Sequence, residues 1–256
     1  MMNNRGRFAI VDGVRGVAIL LMFVYHFTWD LSYFGFSDAD LFGDPFWIGF
    51  VWLIVSIFLS VSGFAFALAE HRGTPPGARI RRLVLIGVCA GLVSLATYIV
   101  DAHSFVFFGI LHHVFLASLL LLLLRSLPSS LLLLVGLVCL AAPYLFASDT
   151  FAYSWLLWLG LSPYPVLSVD YVPLIPWVAA PLFGLVAGRR AVQAERLQRL
   201  FIWRPEDPIG KTVRLLGRHS LLVYVIHQPI LFGGLWLYVA ANTQSKFQLI
   251  GAANSA

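Results

Sequence analysis

Long runs without Lys, Arg, Asp or Glu constrain the fold of this chain more than any other feature of its sequence. They cover residues 45–69, 83–100, 102–124, 126–148, 171–188 and 219–245. A shorter run at 16–29 becomes a helix of about 13–33 if the flanking Arg15 and Asp30 lie near its ends. A helix needs about 20 apolar residues to cross a bilayer. Because the chain is 60% apolar and only 11% charged, far from the balance of a soluble protein, we predict an all-α polytopic membrane helix bundle of about seven transmembrane helices.

A further charge-free stretch, residues 150–169, is predicted to be interfacial or partly re-entrant, because its apolar part ends at Ser162 and two prolines follow. No repeat or linker divides the sequence, so residues 1–256 are expected to form a single transmembrane domain. Near the amino terminus, Asp12 and Arg15 interrupt the apolar run and no small-residue cleavage site follows. This pattern favours a retained anchor over a cleaved signal peptide.

The cations indicate an orientation. With seven spans, every Lys and Arg except Lys246 falls on one side of the membrane, together with the amino terminus. Cytoplasmic loops carry the excess of Lys and Arg, so we predict a cytoplasmic amino terminus and a carboxyl terminus outside. The basic segment 189–218 would also suit anionic lipid head groups or a phosphate-bearing ligand. The cations are too dispersed among apolar helices to predict nucleic-acid binding.

Ionisable side chains inside a span are costly and are therefore functional candidates. On the first span, Arg15 and His26 are 11 residues apart, which places them within about 20° of one helix face and about 16 Å apart along the axis. Asp30 follows His26 by four residues, on the same face, where its carboxylate would orient the imidazole. The alternatives are that Arg15 only anchors the topology and that Asp30 only ends the helix.

Two later spans carry further histidines. His112 and His113 are adjacent and point about 100° apart, so at most one is expected to face a site, and either could simply bond a backbone carbonyl. On the last span, Tyr224 and His227 share a face with Ser220. Gln228 either serves the site or compensates for the helix hydrogen bond that the following proline removes.

The sixth predicted span opens with Asp170 and Trp177 among prolines at 173, 176 and 181. Asp170 is either a site carboxylate or a helix N-cap. The prolines predict a kinked or broken helix, of the kind found where backbone lines a cavity.

These residues resemble the motifs of the transmembrane acyltransferase superfamily. The spacing Arg15-x10-His26 resembles the hallmark of the bacterial membrane O-acyltransferases of acyltransferase family 3. A wider set is similar to bacterial relatives of heparan-alpha-glucosaminide N-acetyltransferase: Arg7…Asp12-x-x-Arg15-Gly16, Phe108-Gly-Ile-Leu-His112, Asp170-Tyr-Val-Pro-Leu-Ile-Pro-Trp177 and Gly217-Arg-His-Ser220…Tyr224…His227-Gln-Pro229.

The resemblance implies an enzyme of a bacterial inner (plasma) membrane. It would take an acetyl group from cytoplasmic acetyl-CoA and pass it to a hydroxyl or amine of a carbohydrate or lipid-linked glycan on the opposite face. It implies His26 as the catalytic histidine, acting either as general base in a direct transfer or as nucleophile in a ping-pong transfer, and Arg15 as a residue that holds the acyl-CoA. To these we add Arg218 for the donor, Asp30, His112 and His227 for catalysis, and Asp170, Trp177 and Gln228 for the acceptor.

No metal is expected, and membrane lipid is the further partner. The oligomeric state is left open, with a homodimer as one option. The animal members of the family carry a histidine in the loop that corresponds to residues 31–44, where this chain has none. Either the chemistry has moved to His26 or the chain is not an acetyltransferase.

Three other functions fit the same residues. A proton-coupled transporter or flippase would use the histidines as a relay. A b-type cytochrome would use two of His26, His112 and His227 as axial ligands, and would show a Soret band. A purely structural helical subunit would use its polar residues only to hold helices together.

Overall fold

A computed structural model describes residues 8–194 and 205–253, with side chains described up to residue 242. The helices in these ranges are α1 Ala9–Tyr33, α2 Pro45–His71, α3 Pro76–Val100, α4 Ile110–Leu124, α5 Ser129–Phe146, α6 Leu174–Trp177, α7 Ala179–Gln193, α8 Pro208–Arg218 and α9 Ser220–Ala253. The described ranges contain no strand, which confirms the prediction of an all-α protein. Arg7 and the part of the basic segment 189–218 that falls at 195–204 lie outside the described residues.

Five of the described helices are long and apolar enough to cross a membrane: α1, α2, α3, α5 and the Ser220–Asn242 part of α9. They support an integral membrane protein. α4 and α7 have 15 residues each, which is short for a bilayer core of about 30 Å. The count of seven spans and the orientation therefore stay predictions.

Two helices begin at side-chain caps. The Asp44 carboxylate accepts a hydrogen bond from the backbone N–H of Phe46 at 2.8 Å, and Pro45 is the first residue of α2. Asp207 accepts from the N–H of Gly210 at 2.9 Å, and Pro208 is the first residue of α8. An acidic cap satisfies an N–H that has no helical partner, and proline fits the first turn, so these sequences determine where both helices start.

Small residues bring helices into backbone contact. Gly16 of α1 lies against the carbonyl of Val213 in α8, and Gly217 of α8 lies against the carbonyl of Asp12 in α1. A Cβ at either glycine would overlap with that backbone. Interfaces of membrane helices are typically built in this way, so α8 is held tightly against the first half of α1.

Glycine-to-backbone contacts also join α2 and α7. Gly63 lies against the carbonyl of Pro181, and Gly184 lies against the carbonyl of Ser60. The α2–α7 pair forms one side of the bundle, and the α7 residues Leu182 and Leu185 are fully buried.

The first part of the fourth predicted span is not helical. Because α4 begins only at Ile110, the prediction of a helix from residue 102 is wrong for residues 102–109. The carboxylate of Asp101 accepts from Ser104 Oγ at 2.6 Å and from the N–H of His103 at 2.9 Å. These bonds hold the pKa of Asp101 below its usual range and turn the chain directly after α3.

The segment before α4 runs beside the segment before α6. The N–H of Val169 donates to the carbonyl of Ser104, and the N–H of Val172 donates to the carbonyl of Phe108, both at 3.0 Å. These bonds satisfy backbone groups that a helix would otherwise satisfy internally. They also bring the chain around Asp170 to the first turn of α4.

The two irregular regions predicted from prolines are present. Residues 150–169 include most of the 3₁₀ turn Asp149–Ala152, all of the turn Leu157–Leu159 and no spanning helix, although their depth in the membrane stays a prediction. The sixth span is broken, as predicted. Ile175 has extended dihedral angles (φ −101°, ψ 130°) inside α6, and α7 begins separately at Ala179.

Candidate active site

A cavity of about 410 Å³ lies between the second half of α1, the first half of α2 and the segments that precede α2 and α6. One wall is apolar and comes mainly from one face of α2. The polar groups of the lining come from the other elements. The lining includes Met22, Tyr25, His26, Ile48, Val51, Trp52, Val55, Phe58, Ile110, Ser168, Asp170, Tyr171, Trp177 and Tyr224.

His26 lies on the wall of this cavity and contacts a second histidine. Its ring meets that of His227 edge-on, with centroids 4.8 Å apart, and the ring of Tyr25 edge-on at 5.7 Å. Among the described residues, His26 makes no hydrogen bond. The histidine of α1 is therefore open to a ligand in the cavity and is flanked by the histidine of α9.

His227 has a defined tautomer. Its Nδ1 lies 2.5 Å from the carbonyl oxygen of Tyr224. Because a carbonyl only accepts, Nδ1 carries the hydrogen and Nε2 of the neutral ring is a bare acceptor. Nε2 is buried and has no hydrogen-bond partner in the described part of the chain. An unused proton acceptor thus lies on the ring beside His26.

Asp30 does not hold His26. Its side chain is fully buried, and Oδ1 accepts from Gln228 Nε2 at 2.6 Å. The other oxygen has no partner among the described residues. The expected carboxylate–imidazole hydrogen bond is not formed: the one side-chain partner of Asp30 among the described residues is the amide of Gln228 from α9. Gln228 accordingly joins α9 to α1 rather than compensating for the missing helix bond at Pro229.

Asp170 lies in the cavity wall, where its carboxylate accepts two hydrogen bonds. Its Oδ2 accepts from the hydroxyl of Tyr224 at 2.7 Å and from the N–H of Ile110 at 3.1 Å. It therefore caps α4 rather than its own helix, whose N-cap is Pro173. Both donors stabilise the ionised carboxylate, and no ion pair with Asp170 occurs within the described residues.

His112 and His113 lie outside the cavity lining. His112 Nδ1 accepts from the N–H of Gly109 at 3.2 Å, and Nε2 lies 3.1 Å from Ser94 Oγ. The buried His113 places Nδ1 3.1 Å from the carbonyl of Pro173. Both rings join α4 to its neighbours, and the expected catalytic place of His112 beside His26 is not observed.

Aromatic side chains form part of the cavity lining. Trp177 meets Trp52 edge-on with centroids 6.4 Å apart. Sequence reasoning singled out Trp177 from its proline-rich motif but missed Trp52 and Tyr25. The one signal for Tyr25 was its position next to His26. Trp52 shares an α2 face with Ile48 and Val55, at spacings of four and three residues.

The two residues predicted to bind the acyl-CoA lie away from the cavity. Arg15 is half-buried on α1, and the helix rise places it about 16 Å from His26 along the axis. Arg218 is exposed at the end of α8. Both belong to the end of the bundle where α8 crosses α1, whereas the cavity lies toward the other end of α1.

The geometry also bears on metals and haem. No group of three or more His, Cys, Asp or Glu that could hold a metal ion occurs in the described residues. The rings of His26 and His227 are in direct contact, which leaves no space for a porphyrin between them.

A model of the catalytic region of heparan-alpha-glucosaminide N-acetyltransferase matches residues 7–229. The chain belongs to this family. The match runs from before α1 to Pro229 and so includes every cavity residue described above. No curated protein and no solved structure matches the chain. Membership in the heparan-alpha-glucosaminide N-acetyltransferase family makes the chain a membrane acetyltransferase. The likeness of Arg15-x10-His26 to acyltransferase family 3 stays a prediction.

Proposed function

We propose that the chain moves an acetyl group from acetyl-CoA, held at the basic end of the bundle, to an amine or hydroxyl of a sugar-like acceptor in the cavity. The observation that carries this proposal is the position of His26. It lies in the cavity wall, without a hydrogen bond to the described residues, beside His227 and in a lining that also contains an apolar face of α2.

His26 is the general base. It takes a proton from the acceptor nitrogen or oxygen as that atom attacks the thioester carbonyl. The new C–N or C–O bond forms, the C–S bond breaks, and the CoA thiolate leaves and takes up a proton. The bare Nε2 of His227 supports this role because an unused acceptor beside His26 can stabilise the imidazolium that forms when His26 takes the proton.

Asp170 and Tyr224 bind the acceptor. A carboxylate that already accepts two hydrogen bonds still has a second oxygen for an amine or hydroxyl of the ligand. No protein cation in the described residues neutralises Asp170, which favours an ammonium or a hydrogen-bond donor as its partner. The aromatic rings of Trp52 and Trp177 complete a wall on which a sugar could stack.

The donor binds from the cytoplasmic side. The positive-inside rule assigns the end that carries Arg15 and Arg218 to the cytoplasm, and cations there suit the phosphates of acetyl-CoA. The acetyl group would reach His26 along the α1 face that begins at Arg15. The acceptor would then be modified at the opposite side of a bacterial inner membrane.

Acetyl transfer from labelled acetyl-CoA to glucosamine, measured with the purified protein in nanodiscs, tests the proposal. We expect His26→Ala to lower turnover by a factor of about 10²–10⁴ while acetyl-CoA still binds by calorimetry. His103→Ala, which changes an exposed histidine outside the cavity, is the matched control. Full turnover in His26→Ala would remove His26 from the mechanism.

The donor site has a separate test. Arg15→Ala should weaken the binding of acetyl-CoA because one cation near the phosphates is lost, and 3′-dephospho-CoA should bind the unchanged protein more weakly than CoA. An unaltered dissociation constant in Arg15→Ala would make Arg15 a topology anchor only.

A further inference from the structure

Helix α8 presents three different faces. Its residues Gly210, Val213 and Gly217 recur at spacings of three and four and share one face. The backbone of Val213 and Gly217 packs directly against α1. This face is therefore occupied by the bundle, and the rest of the helix surface points away from α1.

A second face of α8 is apolar and exposed. Ile209 is 76% exposed and Leu215 is 57% exposed, and at about 100° per residue they bound an arc of about 120°. Leu216 and Thr212 fall inside this arc. The hydroxyl of Thr212 donates to the carbonyl of Pro208 at 2.9 Å, so it needs no water.

The third face is cationic. Lys211, Arg214 and Arg218 recur at spacings of three and four and fall within about 60° of one another. Lys211 lies 3.7 Å from Glu206, and both side chains are mostly exposed, so this ion pair contributes little. Arg214 Nη2 donates to the carbonyl of Pro205 at 2.9 Å, which holds the guanidinium at the surface of the helix.

We infer that α8 lies in the membrane interface and binds anionic phospholipid head groups. Its apolar face would enter the acyl boundary while its cationic flank meets the phosphates. An exposed apolar face beside a flank of Lys and Arg is the pattern of an interfacial helix. The next helix, α9, is long and apolar enough to span the membrane and starts two residues after α8 ends, which keeps α8 close to the bilayer surface.

Charge complementarity selects the lipid. The cytoplasmic leaflet of a membrane is negative, and each Lys or Arg near its surface strengthens binding by roughly fivefold. The proposal does not rest on acetyl transfer. It requires that the chain is a membrane protein and that α8 lies at the cytoplasmic face, as the positive-inside rule predicts. Arg218, on the same cationic flank, is the residue that we assign to the binding of acetyl-CoA. Lys211 and Arg214 lie beside it.

Nitroxide labels placed around α8 test its position. Single cysteines at Ile209, Leu215 and Lys211 would be introduced after replacing Cys89 and Cys139, which are both free thiols, with alanine. In nanodiscs we expect the labels at 209 and 215 to collide more with oxygen than with a water-soluble nickel complex, and the label at 211 to show the reverse. Labels at Val88, which is exposed on the apolar helix α3, and at the exposed loop residue Asp38 give the two reference values. Water-like values at both 209 and 215 would overturn the proposal.

Native mass spectrometry tests the lipid class. We expect the protein to retain phosphatidylglycerol over phosphatidylcholine and Lys211→Gln to lower the binding of phosphatidylglycerol roughly fivefold. Arg81→Gln, which removes an exposed cation from the start of α3, is the matched control. An equal loss in both variants, or no preference for phosphatidylglycerol, would show that α8 is not a lipid site.

Discussion

The crossing of α1 and α8 allows one packing contact to be measured with an internal control. Gly16 and Gly13 both lie in α1, three residues apart. A Cβ on Gly16 would overlap with the backbone of Val213, whereas a Cβ on Gly13 would meet no atom within 4 Å. The two Gly→Ala substitutions therefore make the same chemical change in the same helix and differ only in the contact.

The expected magnitudes follow from two opposing terms. Alanine in a helix is favoured over glycine by about 1 kcal/mol, and both variants gain this term. Overpacking costs about 1–3 kcal/mol, and only Gly16→Ala incurs it, because the obstructing atom is backbone and cannot rotate away. Gly13→Ala should be neutral or slightly more stable than the parent protein. Gly16→Ala should be less stable than Gly13→Ala by about 1–3 kcal/mol.

Reversible unfolding of both variants in mixed detergent, followed by the helical circular dichroism signal, measures this difference. Gly217→Ala should cost a similar amount, because its Cβ would meet the backbone of Asp12 at the same crossing. The double variant Gly16→Ala/Gly217→Ala should lose less unfolding free energy than the sum of the two single variants. One separation of the helices relieves both overlaps. Equal unfolding free energies for Gly16→Ala and Gly13→Ala would refute the close crossing of α1 and α8.

Two further substitutions probe the polar contacts of α9. Gln228→Leu should lower the free energy of unfolding by about 1–3 kcal/mol, because Asp30 would lose its one partner among the described residues. Little coupling to Asp30→Ala in a double-mutant cycle would contradict this contact. Tyr224→Phe should raise the KM for the acceptor about fivefold, the effect of about 1 kcal/mol, because Asp170 keeps only its backbone donor. Tyr238→Phe, an exposed tyrosine later in α9, is the control, and an equal KM in both variants would remove Tyr224 from acceptor binding.

Local sequence patterns predicted the positions of those helices whose formation depends only on residues that are close together in the sequence. Charge-free runs located the long apolar helices, and prolines located the break between α6 and α7. The error at residues 102–109 has a different origin. These residues are apolar enough for a helix, but their backbone bonds the segment before α6, some 60 residues away along the chain. No local periodicity encodes a partner at that distance.

The same limit applies to the site. The spacing along α1 correctly placed His26 and Asp30 on a common side, but it could not show that Gln228 of α9 would bond the carboxylate. His112 looked equivalent to His227 in sequence, since both are histidines in apolar helices. Their neighbours separate them, because His112 bonds Ser94 and Gly109 while His227 meets His26.

The contacts of α1 constrain how donor and acceptor can meet. At one end Gly16 is fixed against α8, and toward the other end His26 and Asp30 are fixed against α9. A continuous helix held at both ends does not shorten, so the separation of about 16 Å between Arg15 and His26 stays constant. In the mechanism that we propose, the reach between the phosphates of acetyl-CoA and the cavity would therefore come from the extended pantetheine arm of the donor. Under that proposal, the length of that arm, rather than a movement of α1, would bring the thioester to His26.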